Sequence, residues 1–142
     1  MTRSSPFGDA NGEPHQTRAS STILLVEDDA AIREALDEVL GDLGYEVVSA
    51  PDGRGGLQLA AAQLEPCPIL LDWRMPVLDG PEFLNRLREL PRGSEFPVIL
   101  STADRSAMAV TVGGQVAAVL SKPFDLDSLL TALRRVSPRA SG

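Results

Sequence analysis

From Thr22 onward, short apolar runs alternate with amphipathic stretches. Ile23, Leu24, Leu25 and Val26 form a continuous apolar run, the pattern of a strand buried on both faces. It ends in Glu27, Asp28 and Asp29. Ile32, Leu36, Val39, Leu40 and Leu43 then recur at helical spacing and predict a helix with one apolar face. Asp28 or Asp29 is placed to cap its start, and Gly44 to end it. The cycle repeats. Tyr45–Ala50 predicts a strand and Pro51–Asp52–Gly53 a turn. Leu57, Ala60, Ala61 and Leu64 mark a weaker helix, softened by Gly55 and Gly56. Ile69–Leu71 predicts a third strand, closed by Asp72. Phe83, Leu84, Leu87 and Leu90 predict a helix that stops before Pro91.

Val98–Ser101 predicts a fourth strand, closed by Thr102. A short, poor helix signal follows over Arg105–Val112 and is stopped by Gly113 and Gly114. Ala117–Ser121 predicts a fifth strand, closed by Lys122. Leu126, Leu129, Leu130, Leu133 and Val136 lie on one face of a last helix, with Pro138 beyond it. Strands that alternate with helices form βαβ units, and hence a parallel sheet. The expected fold is a doubly wound α/β domain, a five-stranded parallel sheet with helices on both faces.

Outside residues 22–137 the pattern is lost. Residues 1–21 carry Ser, Gly, Pro and Asn with almost no aliphatic side chains. Such a segment cannot offset its ordering entropy by burial, so a disordered tail is expected. His15, the one histidine, falls in it and is given no catalytic or metal role. Residues 138–142 form a short C-terminal tail.

Composition narrows the function classes. Thirteen basic against 20 acidic residues give a net charge of −7. That argues against a nucleic-acid surface, which needs Lys and Arg in excess, and against an anionic membrane face. The one cysteine, Cys67, lies between two prolines and reads as a small buried hydrophobe. With no disulfide, no apolar run of bilayer length and no signal-peptide pattern, a cytoplasmic protein is expected.

The candidate chemistry sits where strands end. In open parallel sheets, sites form at the carboxyl ends of the strands. Glu27 and Asp28, Asp72, Thr102 and Lys122 occupy four such ends. Each has a plain alternative: Asp28 as a helix cap, Thr102 as a β-former, Lys122 as a surface charge. Their joint occurrence is what marks a site. Three carboxylates brought together repel one another, and a divalent cation removes that cost. Oxygen ligands without Cys or His suit Mg²⁺ or Mn²⁺. Mg²⁺ retains waters and accepts phosphate oxygens, which leaves a carboxylate free to act as nucleophile toward phosphorus. Lys122 and the Thr102 hydroxyl would then stabilise the transferred group.

Four motifs carry a family resemblance: LLVEDD (Leu24–Asp29), LLDWRMPVLDG (Leu70–Gly80), PVILSTA (Pro97–Ala103) and SKPF (Ser121–Phe124). In this order and spacing they resemble the receiver domain of bacterial two-component response regulators, from Thr22 to about Val136. The resemblance implies a flavodoxin-like (βα)5 fold and a signalling switch rather than an enzyme. It implies that Asp72 is the phospho-acceptor and that Mg²⁺ is held by Glu27, Asp28, Asp72 and the main-chain carbonyl of Arg74. Thr102 and Lys122 resemble the phosphate-sensing pair. Asp29 is then a helix-capping acid, and Asp79–Gly80 a structural loop. The Lys122–Pro123 bond is expected to be cis. The implied donor is a sensor histidine kinase or a histidine phosphotransfer protein, and the implied output is contact with a downstream protein.

Two departures stand out. The family usually has an aromatic residue three positions before the lysine, where this chain has Val119. The stretch from Thr102 to Lys122 is slightly short, and the deficit falls in the weak fourth helix. Hence the expectation that residues 104–116 order or shift on phosphorylation, in place of an aromatic side-chain flip. With only a short tail after Val136, a stand-alone receiver is expected. The alternative is a receiver-fold module that binds partners without phosphorylation. An aspartate-nucleophile phosphatase fits poorly, because the carboxylate it needs two positions on is replaced by Arg74.

Overall fold

The computed structural model describes residues 22–74, 78–104 and 115–136. Within them the chain runs β1 (Thr22–Val26), α1 (Ala30–Asp42), β2 (Glu46–Ala50), α2 (Gly53–Ala62), β3 (Ile69–Asp72) and α3 (Gly80–Arg88). A single 3₁₀ turn (Gly93–Glu95) leads to β4 (Val98–Thr102), β5 (Val116–Ser121) and α4 (Leu126–Val136). All strand pairs are parallel and the order is β2-β1-β3-β4-β5. The expected tails and the weak helix over Arg105–Val112 lie outside the described residues.

The strands β1, β3 and β4 are buried along their whole length, as continuous apolar runs require. Alternation divides their side chains between two cores. Leu24, Val26, Ile69, Leu71, Val98 and Leu100 face Ala60 of α2 and Phe83, Leu84 and Leu87 of α3. Ile23, Leu25, Leu70 and Ile99 face Leu40 of α1 and Leu129, Ala132 and Leu133 of α4. Helices therefore cover both faces, as expected. Each such Leu or Ile contributes roughly 1.5–3 kcal/mol by leaving water.

The turns follow their local chemistry. Asp29 caps α1 by accepting from the Ile32 N–H, Asp52 caps α2 through the Gly55 N–H, and Asp79 caps α3 through the Glu82 N–H. Gly44, at φ +100°, turns the chain out of α1 in the left-handed region that favours glycine. Gly56 has a packing reason. A Cβ there would lie 2.7 Å from Val26 and 3.1 Å from Phe83, so its absence lets α2 approach the sheet.

The apolar stripe of α1 is less buried than its spacing suggested. Leu40 is fully covered, whereas Ile32, Val39 and Leu43 are 38%, 37% and 51% exposed. α2 stops at Ala62, and Leu64 stands 94% exposed in the following loop rather than on the helix face. Cys67 is buried, and burial pushes its thiol up to about 11, in keeping with an inert core residue.

Candidate functional site

The strand order reverses between β1 and β3, and their carboxyl ends meet at that switch point. Pairing of Val26 with Leu71 brings Glu27 and Asp28 beside Asp72. Carboxylate oxygens of Glu27, Asp28 and Asp72 lie within 4.8 Å of one another. Glu27 and Asp72 are buried while Asp28 is exposed at the rim. The cluster is thus open on one side.

Lys122, delivered by the end of β5, reaches over this group. Its ammonium lies 3.4 Å from Glu27 Oε1 and 3.4 Å from Asp72 Oδ1. Strand pairing fixes its main chain, since the Lys122 N–H donates to the Thr102 carbonyl at 2.8 Å. The Lys122–Pro123 bond is cis, as expected. One ammonium serves two carboxylates, and a third acid stands beside them.

The Asp72 carboxyl is consequently raised from 3.8 to about 7. Burial is the largest cause, and the Glu27 charge and the hydrogen bond with Asp28 act in the same direction. Lys122 and the Arg74 N–H oppose them, the latter donating to Asp72 Oδ1 at 3.3 Å. Burial and like charge outweigh the available positive charge.

The other expected residues are placed around this centre. Thr102 ends β4, one residue beyond Ser101, the partner of Asp72. Its hydroxyl accepts from the Asp104 N–H at 2.9 Å. Arg74 sits at the mouth with its guanidinium turned outward, 3.3 Å from the Asp104 carboxylate. Trp73 is half-buried, and its ring lies so close over Gly80 that any Cβ there would clash with it. Gly80 also donates its N–H to the Trp73 carbonyl at 3.0 Å, and with the Asp79 cap of α3 this gives both residues structural tasks.

Two residues near the site were not singled out from the sequence: Asp104, which engages both Thr102 and Arg74, and Arg33 on α1. The guanidinium of Arg33 donates to the Glu27 carbonyl at 2.8 Å. The spacing of these two residues in the chain does not by itself mark a site. Asp104 lies two residues after Thr102, and Arg33 one helical turn after the Asp29 cap.

A fully buried three-strand centre, a switch point and an acidic triad with a lysine define an α/β domain whose strand ends could hold a cation. The family model described as "Response regulator receiver domain" matches residues 23–134, and the chain belongs to this family. It is 39% identical over 122 residues to the response regulator MprA of Mycolicibacterium vanbaalenii, covering 84% of this chain and 51% of that protein. The MprA of Mycobacterium avium is 38% identical over 120 residues. The chain spans about half the length of these curated relatives.

Among solved structures, the receiver domain of the Pseudomonas aeruginosa sensor histidine kinase PA1611 superposes with a TM-score of 0.71 and 32% identity. The match covers 80% of this chain and 94% of that one, and that structure holds a magnesium ion in its active-site cleft. The Vibrio cholerae chemotaxis protein CheY4 gives a TM-score of 0.73 and 32% identity, covering 81% and 97%. The chain is thus a response regulator receiver domain of two-component signalling. No helix among the described residues is long and apolar enough to cross a membrane.

Proposed function

We propose that Asp72 accepts a phosphoryl group in a Mg²⁺-dependent reaction and that the modified domain signals through protein contacts. The observation that carries this reading is the convergence of Glu27, Asp28 and Asp72, with Asp72 raised to about 7 and a single ammonium shared between two of them. A cluster with an uncompensated negative charge and only oxygen donors fits a hard divalent cation. Glu27, Asp28, Asp72 and the Arg74 carbonyl would hold it. When bound, Mg²⁺ supplies positive charge that neutralises phosphoryl oxygens.

The protein's own groups divide the remaining work. One Asp72 oxygen attacks phosphorus as the bond from phosphorus to the donor's histidine nitrogen breaks, and the released imidazole takes a proton from solvent. Lys122, already 3.4 Å from Asp72 Oδ1, stabilises the charge on the transferred group. The Thr102 hydroxyl, whose lone pair is engaged by the Asp104 N–H, keeps its own proton to donate. The donor is a histidine kinase or histidine phosphotransfer protein. Support comes from the magnesium in the PA1611 receiver and from the Thermotoga maritima response regulator TrrA, solved in complex with Mg²⁺ and BeF at 27% identity and a TM-score of 0.69.

Incubation with Mg²⁺ and acetyl phosphate, followed by intact-mass measurement, tests the reading. One added phosphoryl group is expected, and it should vanish in EDTA. An unchanged mass with Mg²⁺ present would favour the second reading, a module that binds partners without phosphorylation. Val119 is the observation behind that alternative. It is half-buried against the core and has no ring to report a change at Thr102.

A further inference from the structure

We infer that Arg33 is a positioning residue for the cation site, holding Asp28 in place through the two peptide groups on either side of it. The inference rests on the Mg²⁺ reading above.

The β1 ladder ends at Val26, paired with Ala50 on one side and Leu71 on the other. The Glu27 carbonyl lies one residue past that ladder, in a residue only 3% exposed. A buried carbonyl without a partner is costly. Arg33, half-buried on the first turn of α1, reaches back and satisfies it at 2.8 Å. The same terminal nitrogen lies 3.5 Å from the Asp28 carbonyl. Those two carbonyls belong to the peptide planes before and after the Asp28 Cα. One rigid guanidinium therefore restrains the backbone on both sides of the residue expected to bind the ion.

The rest of the turn is tied from other directions. The Asp29 N–H donates to Glu27 Oε2 at 3.2 Å, and the Asp29 side chain caps α1. Asp28 itself is exposed and sits between these anchors. Without Arg33 it would sample more backbone conformations, and the three oxygens would less often be gathered. Groups that orient ligands from outside the coordination sphere typically change metal affinity 10–100-fold. An exposed carboxylate with this much support in its main chain belongs at the lower end of that range.

A charge-only role makes the opposite prediction. Removing a cation from the neighbourhood of a dication site would tighten binding, and Arg33→Lys would bind like the parent. A purely structural brace predicts lower stability with unchanged affinity.

The test is titration with Mn²⁺, which shares the preference of Mg²⁺ for oxygen ligands, reading free ion by electron paramagnetic resonance on the full chain. Urea unfolding is run in parallel. Arg33→Ala is expected to weaken Mn²⁺ binding about tenfold, with Arg33→Lys, a single-point donor, recovering only part of the loss. Affinity within twofold of the parent, or tighter, in Arg33→Ala would overturn the inference. If Arg33→Ala does not fold, Arg33→Lys decides: parent-like affinity overturns the positioning role, and a several-fold loss supports it. Absence of Mn²⁺ binding by the unmodified protein would instead sink the cation site itself, a separate failure.

Discussion

The two ends of the same sheet are built from opposite chemistry. At the amino end the strands enter through neutral main-chain links: the Leu24 N–H donates to the Pro68 carbonyl at 3.0 Å and the Ile69 N–H to the Pro97 carbonyl at 2.9 Å. The Gln115 amide closes that end by donating to the carbonyls of Gly93 and Phe96 at 2.7 and 2.9 Å. At the carboxyl end the strands release Glu27, Asp72, Thr102 and Lys122 into one small volume. β3 shows the contrast within four residues, with Ile69, Leu70 and Leu71 apolar and covered, then Asp72 covered as well. The apolar strands are rigid because they are packed on both faces, and this rigidity holds like charges together at their tips. The domain thus stores an electrostatic cost at the carboxyl end of its sheet, and a cation or a neutralised side chain can release it.

The largest expected effect is at that tip. Asp72→Asn keeps the shape of the side chain and removes the carboxylate proposed as the nucleophile. Intact-mass labelling with acetyl phosphate and Mg²⁺ should fall from one phosphoryl group to none. Retention of the added mass at an undiminished rate would show that another residue is the acceptor.

Stability should separate the neighbours Leu71 and Asp72 by sign. Leu71 is wholly buried in one core, and Leu71→Ala should cost about 3 kcal/mol through lost burial and the cavity left behind. Asp72→Asn, without metal, should add roughly 2 kcal/mol near pH 8, since each pKa unit is worth about 1.4 kcal/mol and the cost is shared with Glu27 and Asp28. The folded-state value of about 7 lies above the ordinary 3.8. The folded protein therefore holds this proton more tightly than the unfolded chain, and the contribution of Asp72 falls as pH rises from about 4 to about 7. The Asn variant's advantage should grow over that window and level off above it. Urea midpoints at pH 5, 6, 7 and 8 measure this, and a constant difference across the series would contradict the raised carboxyl.

The same titration couples to the cation. Protonated Asp72 offers no charge to Mg²⁺, so binding releases a proton below pH 7. Apparent affinity, followed by Trp73 fluorescence beside the site, should fall about tenfold per pH unit below pH 7 and change little above it. The trend should disappear in Asp72→Asn.

Most of this arrangement was legible from the chain because its cause is periodic. Continuous apolar runs ending in a polar residue identified the buried strands β1, β3 and β4 and the residues gathered at their ends in one step, since a strand covered on both faces is also one whose end is central. What escaped was set by geometry that periodicity does not encode. The exposure of Ile32, Val39 and Leu43 depends on how α1 is seated on the sheet, which helical spacing alone does not fix. The outward turn of Arg74 depends on Asp104, which is thirty positions away and adjacent only after β3 and β4 pair. Arg33 reads as an ordinary polar residue on a helix until the Glu27 carbonyl is seen to lack a ladder partner. The glycines of α2 were legible as helix-weakening but not as a packing device, because the clearance at Gly56 is defined by Val26 and Phe83 from other elements.

The smallest effect sharpens the comparison within one turn. Asp28 and Asp29 are adjacent, exposed acids at the carboxyl end, yet the structure gives them different tasks. Asp29 accepts the Ile32 N–H at 3.1 Å and starts α1 with backbone angles of −77° and 115°. Asp28 contributes an oxygen to the acidic cluster. Asp29→Ala should therefore cost about 1 kcal/mol of stability, the usual value for a lost helix cap. It should leave cation affinity within about twofold, because the bond from residue 29 to Glu27 is made by its main-chain N–H and survives the change. Asp28→Ala should do the reverse, weakening Mg²⁺ binding strongly while leaving the urea midpoint unchanged or raised. Equal effects of the two substitutions on both readouts would mean that the turn acts as a single acidic patch rather than as a cap beside a ligand.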